Sequence, residues 1–169
     1  MSITIKTDRL VLKKIELKHI DQLIKNLNNM NIANWLINVP YPYTIIDAKN
    51  WVNKSTKEEL CLNIYHQNFL IWGITIDNRK DNNKSNVLGY WIGEEHWGNG
   101  YALEACKSLI SYFFLNTSEK KIYASHMTEN EKSKKILLTL GFNKISTGKV
   151  YSISRQVEVE DINYELIKS

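Results

Sequence analysis

The residues best suited to chemistry stand between Tyr90 and Ala105: Tyr-Trp-Ile-Gly-Glu-Glu-His-Trp-Gly-Asn-Gly-Tyr-Ala-Leu-Glu-Ala. An apolar run ends near Gly93, two glycines follow at Gly98 and Gly100, and helical spacing of apolar residues begins at Tyr101. A helix opening there leaves its first amides without intrahelical partners and presents the positive end of its dipole. Such a loop binds an anion through backbone N–H groups alone. Gly98 and Gly100 also remove side chains where a phosphate would approach the backbone. A plain tight turn has the same glycines, so the pattern alone leaves both readings open. It does not fit GxxxxGK[ST]. Nor does it fit GxGxxG, because no third glycine follows Gly100 at that distance, which makes ATP and NAD poor candidates for the anion.

Around this loop the apolar spacing predicts the elements that must hold it. Ile3, Ile5, Leu10 and Leu12 alternate with polar residues as one opening strand. Ile20, Leu23, Ile24 and Leu27 repeat at helical spacing over residues 18–29. Pro40 and Pro42 fix a loop, because each disfavours helix at the residue before it. Thr44 then caps a second helix, with Asp47 in the capping-box position and Ala48, Trp51 and Val52 on its apolar face. Strands are expected over 60–65 and 69–76, joined by a three-residue connection, His66-Gln67-Asn68. Residues 77–85 form a polar stretch without periodicity, expected to be a mobile loop. A strand over 86–93 leads to the glycine loop and to a helix over 101–114. Strand 122–126, helix 130–140 and strands around 149–153 and 162–167 complete the chain. The early hairpins argue for antiparallel pairing and the later strand-helix-strand unit for one parallel pair, so the fold class is α+β or mixed α/β around a single sheet.

Composition narrows the function classes. A chain of 169 residues, 43% hydrophobic and 24% charged, suits a single soluble domain over residues 1–169. No apolar run approaches the roughly 18 to 20 residues that cross a bilayer. The alternating N-terminus lacks the apolar centre of a signal peptide, so an unprocessed, cytoplasmic protein without a membrane partner is expected. Net charge is +4, and its 22 basic residues are spread along the chain rather than gathered in a stripe, so nucleic acid is not an expected partner. Cys61 and Cys106 stand far apart, without metal-ligand spacing, and read as reduced, buried thiols. No metal is expected.

The stretch His96-Trp97-Gly98-Asn99-Gly100-Tyr101-Ala102-Leu103-Glu104-Ala105 resembles the acetyl-CoA signature of the GNAT superfamily of N-acetyltransferases. The general signature opens on Arg or Gln, which this sequence lacks. The form with Trp before the first glycine is similar to the branch of the ribosomal-protein N-terminal (Rim-type) acetyltransferases. Three further segments resemble that branch in the same order. They are Thr7-Asp8-Arg9-Leu10-Val11-Leu12, Pro40 to Thr44 with Ala48 and Trp51, and Tyr123 to Ser133 with Leu140-Gly141-Phe142. The likeness covers roughly residues 7–167.

The resemblance implies a mostly antiparallel, twisted sheet of about six to seven strands, with one splayed parallel pair and helices on both faces. It implies acetyl-CoA as donor and direct attack of a primary amine on the thioester, through a tetrahedral intermediate. The donor's arm would lie along the backbone of Trp91, Ile92 and Gly93, and its pyrophosphate on Trp97, Gly98, Asn99, Gly100, Tyr101 and Ala102. Asn130 matches the asparagine that bonds the arm, and Ser133 the serine that protonates the departing thiolate. Read without the resemblance, Asn130 is a helix N-cap and Ser133 a solvated helical serine.

A protonated amine must first lose a proton, and Glu94, Glu95, His126 and Glu129 are the candidate bases. Ser133, His126 and Glu95 form the catalytic set. Trp35, Tyr41, Tyr43 and Trp51 fall in the region that walls the acceptor side in the family. The branch favours a peptide N-terminal amine as acceptor. A small amine (amino sugar, aminoglycoside or polyamine) is the alternative, and a non-catalytic acyl-CoA-binding module is the reading from another class. Monomer and homodimer are equally compatible with the sequence.

Overall fold

The computed structural model describes residues 3–77 and 86–168. The expected loop over 77–85 therefore lies outside the described residues, apart from Asp77, which closes a strand. In chain order the elements are β1 (Ile5–Lys6), β2 (Leu10–Lys13), α1 (Ile20–Leu27), α2 (Met30–Ala33), α3 (Ile45–Lys57), β3 (Cys61–His66), β4 (Phe69–Asp77) and β5 (Val87–Ile92). They continue with α4 (Tyr101–Asn116), β6 (Lys121–Met127), α5 (Glu131–Thr139), β7 (Asn143–Ser152) and β8 (Val157–Ile167).

Among the described residues, eight strands form one open sheet in the order β1-β2-β3-β4-β5-β6-β8-β7. All neighbours are antiparallel except β5 and β6. The mixed class and the parallel pair are as expected, while the strand number exceeds the expected six to seven. The extra strand arises at the N-terminus, where one expected strand is two. Thr7 Oγ1 accepts the Leu10 amide at 2.8 Å, and this side-chain turn folds β1 back on β2.

Other local differences have similar causes. The β3–β4 connection is two residues, because His66 already pairs with Phe69. Gln67 and Asn68 both take positive φ, the geometry a tight hairpin turn demands. The expected helix over 18–29 begins as a single 3-10 turn at Leu17–His19, and Asn29 then caps the short α2 by accepting the Asn31 amide. At α3 both halves of the Thr44–Asp47 capping box are formed. Ala48 and Val52 lie in the core and Trp51 is partly buried against it. Lys14 holds the far end of α3, donating to the carbonyls of Ser55 and Cys61.

The two faces of the sheet are distinguished by strand alternation. Tyr90 reaches α5 through Ser133 and lies near Cys106 of α4, so Leu88, Tyr90 and Ile92 face α4 and α5. Lys54 of α3 meets Asp77 at 3.1 Å, so Gly73, Thr75 and Asp77, with their neighbours Gly89 and Trp91, face α3. No helix among the described residues is long and apolar enough to cross a membrane.

Candidate active site

Strands β5 and β6 touch through a single registered pair, Val87 with Tyr123, where the Tyr123 amide donates to the Asn86 carbonyl at 3.0 Å. Beyond that pair they part, leaving the inner edge of β5 without a strand partner toward Gly93. The Gly93 amide donates outward, to the Ile71 carbonyl of β4 at 3.2 Å. Alternation of backbone groups along a strand therefore turns the Ile92 amide toward the gap. The Ile92 carbonyl is already taken by Trp97 Nε1 at 2.8 Å, which draws the following loop down onto the strand end. Lys132 of α5 stacks on the Trp97 ring, 4.3 Å from its centroid.

A 3-10 turn, Glu94–His96, carries the chain from the gap to the glycines. Gly98 and Gly100 have φ of 77° and 76°, the region L side chains avoid. The first amide of α4 that bonds back is Glu104, to the Gly100 carbonyl at 3.1 Å, and Gly100 supplies no side-chain cap. The amides of Gly98, Asn99, Gly100, Tyr101, Ala102 and Leu103 thus have no hydrogen-bond partner among the described residues. A Cβ on Gly98 would meet nothing within 4 Å. Six consecutive free donors at a helix N-terminus, under open space, fit a diphosphate.

What fixes this loop could not be read from the sequence. Arg9, from the turn before β2, donates Nη1 to the Asn99 carbonyl at 3.0 Å and Nε to Glu104 Oε2 at 2.7 Å. Glu104 also accepts from the Arg9 amide and the Thr7 hydroxyl. Burial alone would raise the Glu104 pKa, but these bonds outweigh it and hold the carboxyl below its ordinary value. Asn99 Nδ2 closes the loop on itself through the carbonyls of His96 and Trp97, both at 3.1 Å. Arg9 and its partners lie some 90 residues apart in sequence, and no local spacing signals the pairing.

The other expected site residues are distributed as follows. Asn130 caps α5, accepting the Ser133 amide at 3.1 Å, while Ser133 Oγ meets the Tyr90 hydroxyl at 2.9 Å. Tyr90 was not among the expected residues. Its strand position beside Trp91, turned to the opposite face, is the signal that could have found it.

His126 is 4% exposed, with Nδ1 2.7 Å from the Met127 carbonyl and Nε2 3.0 Å from the Tyr164 hydroxyl. Both ring nitrogens are engaged inside the protein, on the face that carries α5, so no lone pair is free for a substrate proton. Glu94 is likewise committed, accepting from Asn29 and Asn31 and so tying α2 to the end of β5. Glu129 pairs with Arg155 at 3.1 Å. Arg155 in turn donates to the Asn34 carbonyl and lies over the Trp35 ring. Glu95 keeps an exposed side chain, at 67%, with His96 Nε2 3.3 Å from its Oε1. Tyr43 is buried, its backbone clamped by Asn28 in both directions at 2.8 Å.

Comparison with known proteins gives consistent results. The profile of the acetyltransferase (GNAT) domain matches residues 9–143. An N-acetyltransferase of Bacillus licheniformis, described as the uncharacterised p20, is 24% identical over 172 residues, covering 98% of this chain and 96% of that protein. A GNAT-family acetyltransferase from Bacillus anthracis superposes with a TM-score of 0.84 at 19% identity, covering 98% of both chains. RimL, a ribosomal L7/L12 alpha-N-protein acetyltransferase solved with coenzyme A, superposes with a TM-score of 0.81 at 16% identity, again over 98% of both chains.

Proposed function

The chain belongs to the acetyltransferase (GNAT) family, and from that membership we propose that its acceptor is the α-amine of a peptide N-terminus. It is an acetyl-CoA-dependent N-acetyltransferase. The observation that carries the site reading is the parting of β5 from β6 after one pair, with the six free amides of residues 98–103 at the open end. Full-length likeness to RimL, a protein that acts on an N-terminus, favours the peptide acceptor over small amines.

In this reading the donor's diphosphate takes the amides of Gly98 to Ala102, with Trp97 holding the loop against Ile92. Its arm lies along β5 at Trp91, Ile92 and Gly93, reading the inward Ile92 amide, and meets the Asn130 side chain. When bound, acetyl-CoA supplies an acetyl thioester, the electrophile for a neutral amine. The proton lost by that amine is assigned to Glu95, directly or through water, because its carboxylate is exposed while Glu94 and His126 are engaged elsewhere. Ser133 gives its proton to the departing sulfur and recovers one from solvent water, and the Tyr90 hydroxyl orients it. His126 braces β6 against β8 through Tyr164 and acts by position. The whole of residues 1–169 works as one domain, in the cytoplasm.

Calorimetric titration with acetyl-CoA, beside a folded Gly100→Trp variant, tests the donor site. Micromolar binding abolished by the variant supports it, and a folded wild type without binding overturns it. Thiol release with short peptides against amino sugars and polyamines then tests the acceptor. Faster turnover of any small amine than of every peptide overturns the peptide assignment.

A further inference from the structure

Asn63 of β3 is 0% exposed, yet neither its Oδ1 nor its Nδ2 has a hydrogen-bond partner. Buried polar atoms are rarely left so, and a full carboxamide unpaired in a sheet points to a missing partner. Thr75 Oγ1 and Trp51 Nε1 are buried and unpaired as well. Strand register groups these residues. Asn63 stands opposite Gly73, which stands opposite Trp91, and Thr75 next along stands opposite Gly89. All of them face α3, the helix that carries Trp51.

Two glycines, Gly73 and Gly89, put no side chain of their own on the sheet there. The Trp91 indole lies across Gly73, with Nε1 only 2.8 Å from where a Cβ would stand, and that nitrogen has no bond among the described residues. Over Gly89 a Cβ would meet Thr75 Cγ2 at 3.4 Å and nothing else. Donors (Asn63 Nδ2, Trp91 Nε1) and acceptors (Asn63 Oδ1, Thr75 Oγ1) therefore lie on one face of the sheet, the face covered by the helix that carries Trp51, and none of these side chains is charged. A free carboxamide presents one donor and one acceptor in a plane, the complement of another amide.

We propose that Asn63, with Trp91 and Thr75, binds the first amide of the acceptor, so that the enzyme selects α-amino amides over simple alkylamines. The inference rests on the acetyltransferase reading above, in which the backbone of Trp91 lies beside the donor's arm. An amide held on the α3 side of that residue keeps its neighbouring α-amine close to the same strand. Trp91 covers the patch from its partly exposed side, so binding involves a movement of the indole.

The test compares alaninamide with isopropylamine, in which a methyl replaces the carboxamide, by thiol release from acetyl-CoA with rates expressed per unprotonated amine. Wild type should favour alaninamide by about tenfold or more in kcat/KM, the scale set by a hydrogen-bonding pocket left unpaired. That ratio should fall to near one in Asn63→Leu and partway in Thr75→Val, which keeps the side-chain shape and decides the matter if the first variant does not fold. Wild type that prefers neither amine or acetylates neither, or folded variants that keep the preference, would overturn the proposal. Acetyl-CoA calorimetry on the same samples separates the two readings. Tight donor binding without amide preference removes only this inference, whereas absent donor binding removes the function beneath it.

Discussion

The Tyr90 hydroxyl stands 2.9 Å from Ser133 Oγ, joining β5 to α5 where β5 has already parted from β6. Burial, with Cys106 beside it, pushes the Tyr90 phenol well above its ordinary pKa, so it stays a neutral donor throughout the working range. In the proposed mechanism the serine accepts from this phenol and keeps its own hydrogen for the leaving thiolate. Ser133→Ala should lower kcat by about 100-fold, within the range of general acid catalysis, with acetyl-CoA affinity nearly unchanged. Tyr90→Phe should lower kcat by a smaller factor, about fivefold, for one lost hydrogen bond of about 1 kcal/mol. Steady-state kinetics paired with calorimetry checks both, and a Ser133→Ala effect confined to donor binding would dismiss the acid role.

Arg9 and Glu104 make the glycine loop sensitive to acid. The folded Glu104 carboxyl sits below its ordinary value of 4.5, so its bonds to Thr7 and Arg9 contribute stability that is fully present above that pH. This contribution fades as pH falls through the folded pKa, because the unfolded state takes up the proton first. Melting temperature and acetyl-CoA affinity should both decline below about pH 4.5. Glu104→Gln should flatten that limb and weaken binding at neutral pH by about tenfold, the worth of one charge-assisted bond. An unaltered acid limb in the variant would place the titration elsewhere.

What could be read from the sequence follows the range of the forces involved. The Thr44–Asp47 box, the hairpin after His66 and the start of α4 behind Gly100 are local patterns, and each appears where the spacing put it, within a residue or two. The short side-chain turn at Thr7 was missed because a strand and a folded-back pair of strands share the same alternation. At the site, the glycine loop was legible, since a helix start and positive φ need particular residues locally. Arg9 with Glu104, and Glu94 with Asn29 and Asn31, were not, because their partners stand 63 to 95 residues apart. His126 looked available because nothing in the sequence announces that Tyr164 closes over its ring.

Both thiols should be silent in the native protein. Burial pushes Cys61 up to about 11 and Cys106 higher still, so thiolate is scarce at neutral pH and access is blocked. An aromatic disulfide reagent at pH near 8 should therefore register released CoA thiol without background. Added urea should expose both cysteines together at the unfolding transition. Rapid reaction of either cysteine in the folded state would contradict the packing described for β3 and α4.

Gly93 is required by packing and not by its backbone. Its φ of −59° and ψ of 143° suit any residue, yet a Cβ there would fall 1.8 Å from Trp72 Nε1. Trp72 occupies that space because it sits at the irregularity between β3 and β4 with φ of 142°, a region that favours glycine, and stacks on Trp91 at 4.3 Å between ring centroids. The strained residue is thus held by its ring, and the ring by the missing side chain of Gly93. Gly93→Ala should destabilise by about 1–3 kcal/mol, as overpacked cores do. Trp72→Leu alone removes the stacked ring but vacates the space, so Gly93→Ala should cost far less in that background, a coupling of at least about 1 kcal/mol in a double-mutant cycle. Urea unfolding of the four proteins measures it. Additive losses would mean that the indole can move aside, and Gly93 would then be needed for the approach of a ligand to the strand end instead.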